Sequence, residues 1–312
     1  MRWLALAVAV IAGGCGGTFQ FKQLDAGAYP QLPRRHELTE TAFHPQETHH
    51  CGPAALATLL NATGIDVTPD ELAGQVYLPG RKGSLGPELL AAPRHYNRLA
   101  YTLQPELDHL LREVAQGYPV LVLQNLGLKW IPRWHYAVVV GFDLDEQYIV
   151  LRSGRHARVL TKFSTFERTW RRSGYWALIV LKPGSMPAVP HALPYLQAVV
   201  GLERSGHWLS ASASYQSAVE QWPDNLSAWM GLGNSRYARG DKPSAEQAYR
   251  QALELDPAYA PAHNNLAQTL ADLGRWREAE NHARKAVELG GAHQSTYRQT
   301  LDTVSKNLIN RE

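Results

Sequence analysis

From Ala192 onward the chain repeats itself with a period of about 34 residues, and no other feature restricts its fold as tightly. The clearest unit is Leu226–Tyr259, marked by Trp229, Leu232, Gly233, Tyr237, Gly240, Ala245, Tyr249, Ala252 and Pro257. One period later, in Ala260–His293, the matching positions hold Leu266, Ala267, Gly274, Ala279, Ala283 and Ala286. One period earlier they hold Tyr195, Gly206, Ala211, Tyr215, Ala218 and Pro223. Ala, Leu, Glu and Gln recur at helical spacing, so each unit reads as a helix pair that cannot bury its apolar side alone. Stacking solves this: Ala245 and Ala279 let paired helices approach, and bulky residues fill the space between units. The sequence therefore predicts repeats at 192–225, 226–259 and 260–293, with a capping helix over 294–308.

The rest of the 312 residues leaves room for a second folded domain. An apolar content of 45% with 19% charged residues argues against disorder. The net charge of +3 is mild and the arginines are scattered, so no nucleic-acid footprint is expected. No phosphate-cradling glycine loop is present, and no cofactor is expected.

Two cysteines, Cys15 and Cys51, serve different purposes. Cys51 opens the run Cys51-Gly52-Pro53-Ala54-Ala55-Leu56, which reads as a helix start. Unpaired N–H groups and the positive end of the helix dipole favour thiolate there. The residue is either a nucleophile or a buried structural thiol. A candidate base favours the first reading: His135 begins the β-prone run His135-Tyr136-Ala137-Val138-Val139-Val140-Gly141, and neutral imidazole suits proton transfer near pH 7.

Gln46, four residues, then Cys51-Gly52-Pro53-Ala54-Ala55-Leu56, and later the His135 block, resemble the bacteriocin-processing (double-glycine) cysteine peptidases and their papain-like relatives. The resemblance covers about residues 40–185. It implies an α+β papain-like domain in which Cys51 is the nucleophile, His135 the base and Gln46 an oxyanion-hole donor. The C-terminal units resemble the tetratricopeptide repeat (TPR), which implies an all-α solenoid binding peptides or proteins in its concave face. Asn234 and Asn265 fall where such grooves hydrogen-bond a ligand's main chain; a purely structural solenoid is the alternative.

The third catalytic member departs from the family. Double-glycine peptidases carry an Asp near the end of the strand after the His, whereas Tyr148–Gly154 contains none. Asp143 lies eight residues along the same strand from His135, roughly 26 Å if extended, and cannot reach it. A hairpin turning near residues 143–147 brings Arg152–Gly154 opposite His135. Ser153 is then the expected orienting partner, a backbone carbonyl the alternative, and Arg152 is assigned to the outer face. His49 and His50 are expected to line the cleft, as is the glycine-rich stretch 79–86; no metal is expected, because adjacent histidines on an extended chain diverge.

At the N-terminus, one positive charge, an apolar run and Ala12-Gly13-Gly14-Cys15 resemble a bacterial lipoprotein signal, with Cys15 lipidated. A cleaved signal without lipid is the alternative. The resemblance implies a cell-envelope address, at an outer membrane facing the periplasm where two membranes exist. The expected organisation is a signal over 1–15, a polar tether over 16–45, the peptidase-like domain over 46–184, a proline-rich linker over 185–191 and the repeats over 192–312. Few contacts are expected across that linker. The functional expectation is a lipid-anchored cysteine peptidase whose repeats recruit substrate or partner; a non-catalytic scaffold and a thiol-dependent acyl transferase are the alternatives.

Overall fold

The computed structural model describes residues 19–24, 32–45, 51–81 and 83–310. It has the two-part fold class that the sequence predicts, an α+β domain on an antiparallel sheet followed by an all-helical array. The first part runs β1 (Arg35–Glu37), α1 (Cys51–Ala62), α2 (Pro69–Val76), α3 (Gly86–Ala91), β2 (Leu99–Thr102), α4 (Leu107–Ala115), β3 (Val120–Asn125), β4 (Trp134–Asp143), β5 (Tyr148–Ser153), β6 (His156–Lys162), α5 (Phe163–Arg171) and β7 (Ala177–Leu181). The strands lie in the order β2-β7-β3-β4-β5-β6, with β1 beside the far end of β4.

Alternation along the strands sorts the sheet into two cores. Tyr136, Val138, Val140, Leu178 and Val180 face α1, α2 and α3. Val122, Ala137, Val139 and Ile179 face α4 and α5. Helix α1 is buried from Gly52 to Leu60, so it reads as apolar all round and forms the centre of the first core. Helix α2 starts at a capping box, with Thr68 Oγ1 accepting from the Glu71 N–H and the Glu71 carboxylate accepting from the Thr68 N–H.

The polar stretch expected to be a tether is largely part of the fold. The Gln20 and Phe21 N–H groups donate to the buried Glu167 carboxylate at 2.7 and 2.8 Å. Residues 35–37 pair with Asp143, Phe142 and Gly141 of β4. Gly141 makes this possible, because a Cβ there would stand 2.7 Å from the His36 carbonyl oxygen. Composition misled here: three residues, Arg-His-Glu, show no apolar alternation, and only the free edge of β4 recruits them.

The array comprises α6 (Ala192–Arg204), α7 (Trp208–Gln221), α8 (Leu226–Ala238), α9 (Lys242–Leu255), α10 (Ala260–Asp272), α11 (Trp276–Leu289) and α12 (Gln294–Ile309). Ala211, Ala218, Ala245, Ala252, Ala279 and Ala286 are fully buried between them.

The expectation of few contacts across the proline-rich segment is overturned. The core on the α4 face continues without a break through Tyr195, Val199 and Leu202 of α6 into Tyr215 of α7 and Leu232 of α8. The segment itself is pinned by the buried Glu113 of α4, which accepts from the Ala188 and Val189 N–H groups at 3.0 and 3.3 Å. Tyr101 Oη of β2 donates to the Val189 carbonyl and accepts from the His191 N–H, and Tyr195 Oη donates to the Ser185 carbonyl. Burial pushes the Glu113 carboxyl up to about 7.

Candidate active site

Cys51 is the first residue of α1 and is half-buried. The N–H groups of the first turn have no intrahelical acceptors and point out past the thiol end of the helix. Next to it Gly52 presents only hydrogen to Ser84; a Cβ at Gly52 would lie 2.2 Å from Ser84 Oγ. The stretch expected to line the cleft thus reaches the helix start through Ser84. Tyr136 Oη donates to the Ser84 carbonyl at 3.4 Å, and the Tyr136 ring meets Trp176 edge-on at 5.8 Å between centroids. Burial, then the Cys51 sulfur and the Glu88 carboxylate, push the Tyr136 phenol up. Tyr136 therefore belongs to the surroundings of Cys51. The sequence offered one signal for it: Tyr136 follows His135 on an alternating strand, so it must point to the opposite face.

His135 is the second residue of β4 and pairs with Gln124 of β3. Directly paired residues share a face, and Gln124 Nε2 donates to Thr169 Oγ1 of α5 at 2.7 Å. The His135 ring therefore belongs to the α5 side. Its Nε2 lies 2.8 Å from Ser153 Oγ. The β4–β5 register carries a bulge between Val139 and Gly141, and Val138 pairs with Arg152. Ser153 thus reaches His135 diagonally, on the face that Leu151 shares.

Burial, and then the Arg133 guanidinium, hold the His135 imidazole below its ordinary pKa. A neutral ring is thereby favoured near pH 7, competent to accept a proton and less disposed to exist as imidazolium. With Nε2 engaged by Ser153, Nδ1 is the nitrogen left for a thiol proton. Ser153 can accept from Nε2–H or donate to Nε2, so it orients the ring without supplying the negative charge that a carboxylate would. No hydrogen bond joins Cys51 to His135 among the described residues: Tyr136, packed with Cys51, is on the α1 face of β4 and His135 is on the α5 face, so the structure does not bring thiol and imidazole together.

Asp143 closes the other end of β4. It accepts from the Asp145 and Glu146 N–H groups at 3.0 and 2.8 Å and pairs with Arg35 at 2.9 Å. The Glu146 N–H bond first, with Arg35 and the Asp145 N–H adding, holds its carboxyl below the usual range. Arg152 is not on an outer face. It is buried on the α1 side of the sheet, donating to the Thr39 and Thr41 carbonyls at 3.1 Å and to the Ala157 carbonyl. The backbone leading toward Cys51 supplies acceptors that the sequence could not place there.

Cys15, Gln46, His49 and His50 lie outside the described residues. In the array, Asn234 of α8 and Asn265 of α10 join each other: Asn265 Nδ2 donates to Asn234 Oδ1 at 3.0 Å, and Tyr249 Oη donates to the same oxygen at 2.9 Å. The two amides form one polar ladder across adjacent repeats. Among the described residues no helix is long and apolar enough to cross a membrane.

Residues 34–178 match the Peptidase_C39 like family, and residues 196–260 and 248–281 match tetratricopeptide repeat families. No curated protein matches the chain. Solved structures similar to the array include the type III secretion translocator chaperone SycD of Yersinia enterocolitica, at 19% identity over 36% of this chain and 82% of that one, with a TM-score of 0.35. The Sgt2 TPR domain from Aspergillus fumigatus is similar at 18% identity over 40% of this chain and 84% of that one, with a TM-score of 0.37. The chain carries a Peptidase_C39-like domain followed by tetratricopeptide repeats.

Proposed function

We propose that the protein is a lipid-anchored cysteine peptidase of the cell envelope, held at a membrane through Cys15, whose repeats bring a peptide or protein substrate to the Peptidase_C39-like domain. The observation that carries the reading is the arrangement inside the matched region: a thiol at the first residue of a buried helix, and a neutral-favouring imidazole held at Nε2 by Ser153. In the proposed reaction the His135 ring, near the start of β4, turns from the α5 face toward Cys51 so that Nδ1 takes the thiol proton as sulfur attacks the carbonyl carbon. The Cys51 N–H and the Gln46 amide stabilise the oxyanion. His135 then protonates the leaving amine, and water hydrolyses the acyl-enzyme. The Asn234–Asn265 ladder is the proposed contact for an extended main chain in the repeat groove.

A second reading, a non-catalytic scaffold at the envelope, draws on one observation: the partner of His135 is a hydroxyl where the resembling peptidases hold a carboxylate. Acyl transfer by the same thiol differs only in the acceptor. Labelling of purified protein with a thiol-directed electrophile at pH 6 separates the first two. Rapid labelling that His135→Ala slows at least about tenfold supports a base-assisted thiol. Slow labelling, unchanged in that variant, supports the scaffold.

A further inference from the structure

Five of the twelve large apolar residues that are exposed among the described residues fall within nine consecutive positions: Leu126, Leu128, Trp130, Ile131 and Trp134. They sit on the β3–β4 hairpin, with Trp130 76% and Ile131 64% exposed. Single exposed apolar side chains are ordinary; a cluster on one loop marks a contact surface. The hairpin is also well held. Leu126 and Leu128 N–H groups donate to the Arg133 and Ile131 carbonyls, and Asn125 Oδ1 accepts from the Gly127 and Arg133 N–H groups, both at 2.9 Å. Arg172, just after α5, donates to the Asn125 and Gly127 carbonyls. A rigid tip that displays tryptophan to water is built for a partner.

Two further observations say what the partner is. The tip carries Lys129 and Arg133 and no acid, and the last turn of α5 beside it adds Arg168 and Arg171. Tryptophan and aliphatic side chains flanked by lysine and arginine suit the boundary between acyl chains and anionic headgroups. Second, the N-terminal segment comes off the fold at the same place. Phe19 lies under the Arg171 guanidinium, 5.6 Å from ring centroid to Cζ, and the next two residues are bonded to Glu167. Cys15 precedes Phe19 by four residues, a reach of at most about 14 Å. A lipid on Cys15 would therefore enter a bilayer near the C-terminal end of α5, the end to which Arg172 ties the hairpin.

We propose that the β3–β4 hairpin is a membrane-contacting tip that seats Trp130 and Ile131 in an anionic leaflet and holds the His135 end of the sheet at the bilayer surface. The proposal rests on the lipid-anchored reading for its orientation. It implies that substrates are met at the membrane surface, because Trp134 directly precedes His135.

The test uses the full chain with vesicles of phosphatidylcholine and phosphatidylglycerol whose acyl chains are brominated. Wild-type tryptophan emission is expected to be quenched, and Trp130→Leu, which keeps the apolar contact, is expected to lose a distinct component of that quenching. Lys129→Glu with Arg133→Glu is expected to weaken vesicle binding about tenfold or more, with thermal unfolding unchanged because all three side chains are exposed. Membrane fractionation of Cys15→Ala reports the lipid separately, since quenching of Trp130 in added vesicles needs no lipid on the protein. Quenching that Trp130→Leu leaves untouched overturns the proposal. So does a Trp130 emission shift produced by a soluble apolar peptide and not by vesicles, which would make the hairpin a substrate wall.

Discussion

The two halves of this chain encode structure in different ways. In the array, each helix meets mainly the helices next to it in sequence, and the same small residues recur at each crossing. In the α+β domain, many contacts span long separations: β1 joins β4, Gln20 and Phe21 join Glu167, and Arg152 joins Thr39 and Thr41. A periodic sequence declares its fold locally, whereas a functional pocket is assembled from pieces that carry no mutual signature. The seam between the halves belongs to the second kind, although some of its residues come from the first.

The sharpest way to break the comparison is to cut the chain at the seam. If the halves were independent, truncation after Gly184 would leave a folded domain. The continuous core through Tyr195, Val199 and Leu202 argues the opposite. Removing it returns the apolar faces of Leu99, Tyr101 and their neighbours to water, and that lost burial is costly. Truncation after Gly184 is expected to give a protein without a cooperative thermal transition by circular dichroism. Truncation after Asp256, which removes only the last repeat and the capping helix, is expected to retain one. A cooperative transition in the shorter protein would show that the halves are separate after all.

The seam also predicts a pH dependence. The folded-state pKa of Glu113 is raised from 4.5 to about 7, so the folded chain holds a proton that the unfolded chain has released. Stability from this group is fully present below about pH 4.5 and is lost as pH rises through 7. The shift corresponds to about 3 kcal/mol at 1.36 kcal/mol per unit. Glu113→Gln resembles the protonated acid at every pH. The difference in unfolding free energy between wild type and Glu113→Gln is expected to move against wild type between pH 5 and 8, measured by urea denaturation. A difference that stays constant across that range means that Glu113 does not titrate in the seam.

What the sequence made legible follows the same division. The array's helices could be placed from Gly206, Gly240 and Gly274 and the alanine positions, because those residues recur wherever a helix pair turns or crosses. Within the other domain, the long runs that became α1, β4 and β7 carried their own patterns. β2, with four residues Leu-Ala-Tyr-Thr, and β1, with three, did not, since each owes its pairing to an edge elsewhere in the sheet. Glu113 reads as a surface residue on an amphipathic helix, and nothing near it in sequence announces the N–H groups of Ala188 and Val189. For the site, hairpin geometry brought Ser153 toward His135 because turn and strand lengths fix a register. The burial of Arg152 was hidden, because its acceptors at Thr39 and Thr41 come from more than a hundred residues away.

The smallest expected effect sharpens the one contact on which the proposed chemistry turns. Ser153 Oγ lies 2.8 Å from His135 Nε2, and the ring sits below its ordinary pKa because it is buried and faces Arg133. A carboxylate in place of the hydroxyl would oppose both effects by stabilising imidazolium. Ser153→Asp is therefore expected to raise the imidazole pKa and, if Nδ1 serves Cys51, the thiolate fraction at pH 6. Ser153→Ala should leave the ring less well held and slow the reaction, by about threefold to tenfold on the scale of one lost neutral hydrogen bond. Asp143→Ala, at the far end of β4, should leave labelling at the wild-type rate while lowering stability through the lost turn contacts. Measured with a thiol-directed electrophile across pH 5 to 8, the expected order is Ser153→Asp above wild type, wild type equal to Asp143→Ala, and Ser153→Ala below both. The pH profile carries the discrimination, because a purely structural Ser153 would alter the unfolding midpoint and leave the labelling midpoint where it was. A labelling midpoint unmoved by either Ser153 substitution would mean that the imidazole held by Ser153 is not the base for Cys51.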